Sequence, residues 1–240
     1  MKKIILLVGA LSLFILMIPS CGKKGGTSSS NCQLLTVTDS SSSSTVYNIT
    51  YNNNGQLSSI VATGQNATQE EYAYAAGNKV IASVSNSGGP VSRIDTITLN
   101  GDGYVQSVVS YYPSNQEITT TTYTYGSNDQ VLKSIYQNGS NPAATTTFTF
   151  TNGNLTSLTD GATTMTYTYY TNLPYQEGDL LQVSQLLGGG FPYIKNVNLL
   201  QGYTSSSGTV NLIYGFDSKG KINRVGSTVQ ESFLYQYSCD

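Results

Sequence analysis

Side chains that could do chemistry are sparse in these 240 residues, and histidine is absent altogether. Without an imidazole, the Ser-His-Asp and Cys-His nucleophile systems and the usual zinc sites are excluded, since each draws on a nitrogen that titrates near neutral pH. Carboxylates, tyrosines and three cysteines remain. The acidic pairs are Glu70-Glu71 and Glu177-Asp179. Glycoside hydrolysis requires two carboxyl groups facing each other across roughly 5 to 9.5 Å, and adjacency in a chain does not set that separation. Asn100-Gly-Asp102-Gly103 carries part of a calcium loop without the later bidentate glutamate, so a tight turn is expected there. No catalytic residue, metal ligand or cofactor site is assigned, and the chain is expected not to be an enzyme. The nineteen tyrosines offer a different chemistry. Their rings can stack on sugars while neighbouring Asn, Thr and Asp hydrogen-bond hydroxyls, although Tyr alternating with Thr is also ordinary sheet composition.

The role of the cysteines depends on the first segment of the chain. Met1-Lys2-Lys3 and the apolar run Ile4 to Ile18 form a charged n-region and an h-region, too short for the roughly 20 residues of a spanning helix. Residues 1–20 therefore read as a secretory signal. The junction Ile18-Pro19-Ser20-Cys21 resembles the lipobox of bacterial lipoproteins, and Pro19 is its one departure. That resemblance implies cleavage after Ser20 and a lipid on Cys21; the alternative is a plain secretory peptide with a cysteine near its end. Gly22 to Ser30 has the Gly/Ser/Thr/Lys composition of a flexible tether, which assigns 21–31 as tether and 32–240 as a single domain. Gly22 is not the Asp that retains some lipoproteins at the inner membrane, which favours the outer membrane. Lys23-Lys24 stands where surface-exported lipoproteins carry an acidic cluster, so the face of that membrane stays open. With Cys21 acylated, Cys32 and Cys239 are the remaining pair in an oxidising compartment, where a bridge is favoured. Two separately buried thiols are the alternative.

Between those two cysteines one hairpin phrase recurs: an aromatic-alternating strand, an Asn/Asp/Gly turn, then an aliphatic-alternating strand. It appears as Tyr47-Asn-Ile-Thr-Tyr51, Asn54-Gly55, Leu57-Ser-Ser-Ile60; as Phe148-Thr-Phe150, Asn152-Gly153, Leu155-Thr-Ser-Leu158; and as Tyr214-Gly-Phe216, Ser218-Lys-Gly220, Ile222-Asn-Arg-Val225. Turn anchors at Gly55, Gly77, Gly103, Asn128 and Gly153 are spaced 22, 26, 25 and 25 residues apart, a hairpin period that predicts an antiparallel up-and-down meander of about twelve to fifteen strands. Alternation puts aromatic and aliphatic side chains on one face and Thr, Ser and Asn on the other. Such a sheet must curl or close into a barrel to bury its apolar face. Leu173 to Val197 breaks the pattern. Glu177-Gly-Asp179 can start a short helix with Leu180, Leu181, Ser184 and Leu187 on one face, and Gly188-Gly-Gly190 stops it. One short helix over Asp179 to Leu187 is expected to cover an open end of the sheet.

Tyr51-Asn-Asn-Asn-Gly55-Gln-Leu57 and Phe216-Asp-Ser-Lys-Gly220-Lys-Ile222 resemble the Tyr-Asp repeats of RHS-type shell proteins. The whole layout from Cys32 to Cys239 is more similar to a Bacteroidota lipoprotein family of unknown function with a porin-like fold. That resemblance implies a barrel-like meander in place of a solenoid and implies no activity. A pore-forming barrel is disfavoured, because strands of about seven residues fall short of the 9 to 11 that span a bilayer and the chain ends Cys239-Asp240 without a terminal aromatic.

Eleven basic and thirteen acidic residues give a net charge of −2, and loss of Lys2 and Lys3 with the signal leaves about −4. With no basic run beyond Lys23-Lys24, neither nucleic acid nor an anionic membrane surface is an electrostatic partner. Two expectations follow: an envelope-anchored, non-catalytic module for a glycan or small ligand, or a structural or protein-interaction lipoprotein of the outer membrane. The protein should fractionate with the outer membrane and take up label from a fatty-acid analogue fed to producing cells, and Cys21→Ser should remove the label.

Overall fold

The computed structural model describes residues 32–40, 45–64, 67–86, 88–126, 128–227 and 233–239. The signal segment, Cys21 and the tether lie outside the described residues. The first eight strands are β1 (Cys32–Asp39), β2 (Thr45–Tyr51), β3 (Leu57–Thr63), β4 (Thr68–Ala75), β5 (Lys79–Asn86), β6 (Val91–Leu99), β7 (Val105–Tyr112) and β8 (Glu117–Tyr125). They are followed by β9 (Val131–Asn138), β10 (Ala144–Thr151), β11 (Asn154–Thr159) and β12 (Thr164–Pro174). Helix α1 (Leu180–Gly189) precedes β13 (Asn198–Ser205), β14 (Gly208–Phe216), β15 (Ile222–Ser227) and β16 (Phe233–Cys239). Every strand pairs antiparallel with its sequence neighbours, and β1 pairs with β16 to close the barrel. Sixteen strands exceed the expected twelve to fifteen, because some connections are tighter than the 25-residue period allows; only Ser206 and Ser207 separate β13 from β14.

The recurring phrase has a specific geometry at its turns. Asn52 Oδ1 accepts from the Asn54 and Gln56 amides, while Gly55 N–H donates to Asn52 O. Asn100 does the same for Asp102 and Tyr104, and Asp217 for Lys219 and Lys221. An Asx side chain thus takes up two amides that the turn would leave unpaired, and a glycine at positive φ, +72° at Gly55, closes it. One step beyond the turn, five hairpins slip register around a bulged residue: Ser58, Gln106, Leu132, Thr156 and Asn223. The inward aliphatic residues are therefore three apart, as in Leu57/Ile60 and Ile222/Val225, and not alternating as expected. Repeated bulges on one rim bend the wall and increase its twist, which favours closure.

Side chains partition across the wall as the alternation predicts. Ile49, Tyr72, Ile97 and Phe148 lie in the core, while Thr122, Thr124, Thr147, Thr149 and Thr151 are exposed on the outside. The core is not wall alone. Residues 175–197, the β12–β13 connection, enter the barrel and contribute Val183, Ile194, Leu186, Phe191 and Tyr193 to it. The expected helix thus fills the interior and does not simply lie over an opening. It also runs through Gly188 and Gly189, and Gly190 ends it in the left-handed conformation with its N–H on Leu186 O. A Cβ on Gly190 would lie 2.6 Å from the Tyr72 ring, so only glycine allows this approach.

Buried polar side chains fasten the plug. Asp179, with no exposed surface, caps α1 by accepting from Leu181 N–H (3.0 Å) and reaches the wall by accepting from Leu200 N–H (2.8 Å). Gln185 accepts from the Tyr193 and Ile194 amides and donates to Leu181 O. Asn154 accepts from Val197 and Asn198 N–H, and Asn196 accepts from Leu155 N–H. Each replaces water lost on burial with directed bonds, which fixes the segment in one position.

Cys32 and Cys239 are opposite one another in the β1–β16 pair, Cα atoms 4.0 Å apart, and are disulfide-bonded across 207 residues. Closing so long a loop restricts the unfolded chain by about 5 kcal/mol in the entropy model. Cys32→Ser/Cys239→Ser should keep the fold yet melt ~10 to 20 °C lower at most, read by thermal denaturation without reductant.

The plug also carries a pH signature. Burial pushes the Glu177 carboxyl above its ordinary range, against the opposing pull of Lys221 and of the Leu34 amide. A raised folded-state pKa means the folded chain binds this proton more readily than the unfolded chain. Ionised Glu177 therefore weakens the fold above that pKa, and the penalty disappears as pH falls through it. Glu177→Gln should be the more stable protein at pH 7 in urea titrations, with the difference shrinking toward zero below pH ~4.

Candidate ligand site inside the barrel

The inward faces of β4 to β7 line up in register. Glu70 lies opposite Val84, which lies opposite Arg93; in the next row Tyr72, Ala82, Asp95 and Ser110 follow one another across four strands. The row beyond, toward the plugged end, is apolar: Tyr74, Val80, Ile97 and Val108. The small side chains of Ala82 and Ser110 on either side of Asp95 leave space above it. Across that space, α1 presents Ser184, Gly188 and Gly189, and the segment after it presents Phe191 and Tyr193. The result is a partly open cavity of about 330 Å³, within the range of about 300 to 1,000 Å³ usual for small-molecule sites.

Its polar centre is an ion pair. Arg93 Nε donates to Asp95 Oδ2 at 2.9 Å, with the arginine side chain 29% exposed and the aspartate 8%. Burial works against the Arg93 charge, but Asp95 and then Glu70 hold the guanidinium more basic than usual. The second carboxylate oxygen, Asp95 Oδ1, is buried and has no hydrogen-bond partner. That sets Asp95 apart from Asp179, Gln185, Asn154 and Asn196, whose buried oxygens are all engaged by the plug or the wall. A buried acceptor without a donor costs about 1 to 3 kcal/mol, more when charged.

The aromatic side of the cavity is also ordered. Tyr123 and Tyr193 have ring centroids 5.0 Å apart at 35°, and Phe191 meets Tyr72 edge to face at 5.8 Å. Burial pushes the Tyr123 hydroxyl up to about 12, so it stays protonated as a donor. Gln185, though it lines the cavity, has its amide spent on Leu181, Tyr193 and Ile194.

The residues singled out from sequence are distributed differently. Glu70 and Glu71 go to opposite faces: Glu70 accepts from Tyr72 O–H inside the barrel, and exposed Glu71 accepts from Gln69. Asp179 is committed to capping, and Glu177 lines a separate small cavity with Tyr51 and Leu34. Neither acidic pair forms a facing couple. Asn100-Gly-Asp102-Gly103 is the Asx turn described above. The tyrosine stripes point inward, and of them Tyr123 borders the cavity; Tyr72 and Tyr74 meet Phe191 of the plug, and others pack against the core. Arg93 and Asp95 were not among the sequence candidates. A signal existed, since both occupy inward positions in Arg93-Ile-Asp95-Thr-Ile97, where the alternating stripe is otherwise apolar.

No family model matches the chain, and no curated protein matches its sequence. Solved structures do. A porin-like protein from Bacteroides uniformis ATCC 8492 superposes with a TM-score of 0.61 at 14% identity, over 86% of this chain and 97% of that one. A porin-like protein from Bacteroides vulgatus ATCC 8482 superposes with a TM-score of 0.55 at 16% identity, over 85% and 98%. At such identities the likeness concerns the fold. It supports the porin-like resemblance, and the likeness to Tyr-Asp repeats finds no support, because the strands close a sixteen-strand barrel around a plug.

Proposed function

We propose that this protein is a lipid-anchored envelope barrel that stands in water and holds a small ligand, a glycan end or another small molecule, in its interior cavity. The observation that carries this reading is Asp95, which lines a partly open cavity and keeps one buried carboxylate oxygen, Oδ1, unpaired; Tyr214 and Tyr235 also have buried hydroxyls without a partner, but neither borders this cavity. The outer wall supports a position in water. A lipid-facing barrel is apolar outside and polar within, whereas here threonines are outside and the plugged core is apolar. A non-catalytic role is supported by the cavity lining, whose described residues include a single carboxylate, Asp95. Outer-membrane placement rests on the Cys21 junction together with the porin-like neighbours.

A second reading, a protein-interaction lipoprotein, has its own observation. On the outer wall Ile94, Tyr111 and Ile118 form a continuous row across three strands, with Ile118 54% exposed. The two readings separate in one experiment. A Cβ on Gly189 would meet nothing within 4 Å, so Gly189→Leu should fill the cavity without unfolding the barrel. In a ligand-observed NMR screen of glycans and metabolites, at least one compound should bind the wild-type protein and lose binding to Gly189→Leu, whose melting temperature should be equal or higher. Binding unaffected by the filled cavity, or no binding at all, would leave the interaction reading.

A further inference from the structure

The cavity also constrains the chemistry of its occupant. We infer that it takes a neutral ring bearing adjacent hydroxyls, a single sugar unit, held by Asp95 Oδ1 as acceptor and the Arg93 guanidinium as donor; this rests on the reading of the cavity as a ligand site. Three groups of observations point the same way.

Charge comes first. Glu70, Asp95 and Arg93 place two carboxylates and one guanidinium in neighbouring interior rows. An anionic ligand would compete with both carboxylates for Arg93. A cationic ligand approaching Asp95 would meet a guanidinium 2.9 Å from the same carboxylate. An uncharged ligand meets neither penalty, and in a half-buried site those penalties are large.

Hydrogen-bond valence comes second. Asp95 Oδ1 is buried and accepts nothing, so a small turn of this carboxylate toward the cavity it lines would let a ligand hydroxyl donate there. Arg93 uses Nε for Asp95, and among the described residues its terminal nitrogens carry no hydrogen bond, so the ligand must accept beside the point where it donates. Each hydroxyl both donates and accepts, and two on adjacent carbons span a carboxylate oxygen and a guanidinium nitrogen together. Ser110, Thr121 and Ser184, at the border, suit further hydroxyls.

Shape comes third. Phe191, Tyr123 and Tyr193 offer ring surface, and Ile97, Val105 and Val108 offer apolar wall. The C–H face of a pyranose packs on such surfaces while its rim of hydroxyls is hydrogen-bonded. Gly188 and Gly189 leave open the volume that this ring would occupy, because a Cβ at either meets nothing within 4 Å.

The test is calorimetric titration of the purified chain with methyl glucopyranoside, methyl mannopyranoside, methyl galactopyranoside and N-acetylglucosamine, beside phenylalanine and ethylamine as zwitterionic and cationic probes. At least one sugar should bind, and phenylalanine and ethylamine should not. Asp95→Asn should weaken that sugar at least tenfold, and so should removing one of its adjacent hydroxyls, a change that leaves the protein untouched. Gly189→Leu should abolish binding. If phenylalanine or ethylamine binds in a Gly189→Leu-sensitive manner while no sugar does, the ligand class is wrong and the cavity reading stands. If no probe binds in that manner, the class is overturned here and the wider screen decides the cavity reading. A sugar that binds equally well to Asp95→Asn and in its deoxy forms would overturn the assignment of Asp95.

Discussion

Sixteen strands enclose more space than their own inward side chains can fill; barrels of about eight strands pack solid, and those of sixteen or more leave a channel unless something enters. Here residues 175–197 enter, and the fold depends on that segment. The wall alone would leave an apolar inner face against water, an arrangement with no hydrophobic gain to offset the entropy of ordering the strands. Once α1 and the chain after it occupy the interior, Leu34, Leu155, Leu199, Leu200 and Ile222 become almost wholly buried. The hydrophobic core of this protein is therefore the plug-to-wall contact.

A plug ten helical residues long cannot fill a barrel evenly. Its fastening points, Asp179 to Leu200, Asn154 to Val197 and Asn198, and Asn196 to Leu155, gather where the strands leave the bulged rim. The C-terminal end of α1 is glycine, at Gly188, Gly189 and Gly190, and no side chain there reaches β6 and β7. The cavity is thus what the helix end leaves unfilled, and it lies beside the wall rows that contain charge. Close packing is usual in protein interiors. A void bordered by an ion pair with one oxygen unpaired differs from a packing defect, which would be apolar and dry.

Much of this was legible in the residues. The Tyr-x-Tyr and Thr alternation identifies strands and faces, Asn-Gly and Asp-x-x-Gly identify turns, and closure follows from a two-faced meander whose terminal cysteines pair. The bulges were present too, since Leu57/Ile60, Val105/Val108, Leu155/Leu158 and Ile222/Val225 are three apart, a spacing that puts two residues on one face of a strand only if an extra one is accommodated between them. The interior site was harder to see. Asp95 and Arg93 stand out only after β6 is given a face, and the unpaired oxygen depends on Ala82, Ser110 and a glycine-ended helix from distant parts of the chain converging on it. Glu177 and Asp179 are neighbouring acids in sequence, yet only Asp179 caps α1, and Glu177 lines a separate small cavity.

The same alternation that builds the barrel also sets what it can do. A porin-like architecture conducts when the lumen is polar and open and the outer band is apolar. This chain has the reverse polarity at Thr122, Thr124, Thr147, Thr149 and Thr151 outside and at Ile49, Tyr72, Ile97 and Phe148 inside. Because side-chain direction has a period of exactly two, moving from one polarity to the other would require every strand to shift register by one residue, which the Asx turns and five bulges prevent. The threonine-rich strands of the wall therefore suit water, although Ile118, Leu132, Ile213 and Leu234 are exposed among them, and on the reading proposed above it is a lipid on Cys21, outside the barrel, that would attach the protein to a membrane.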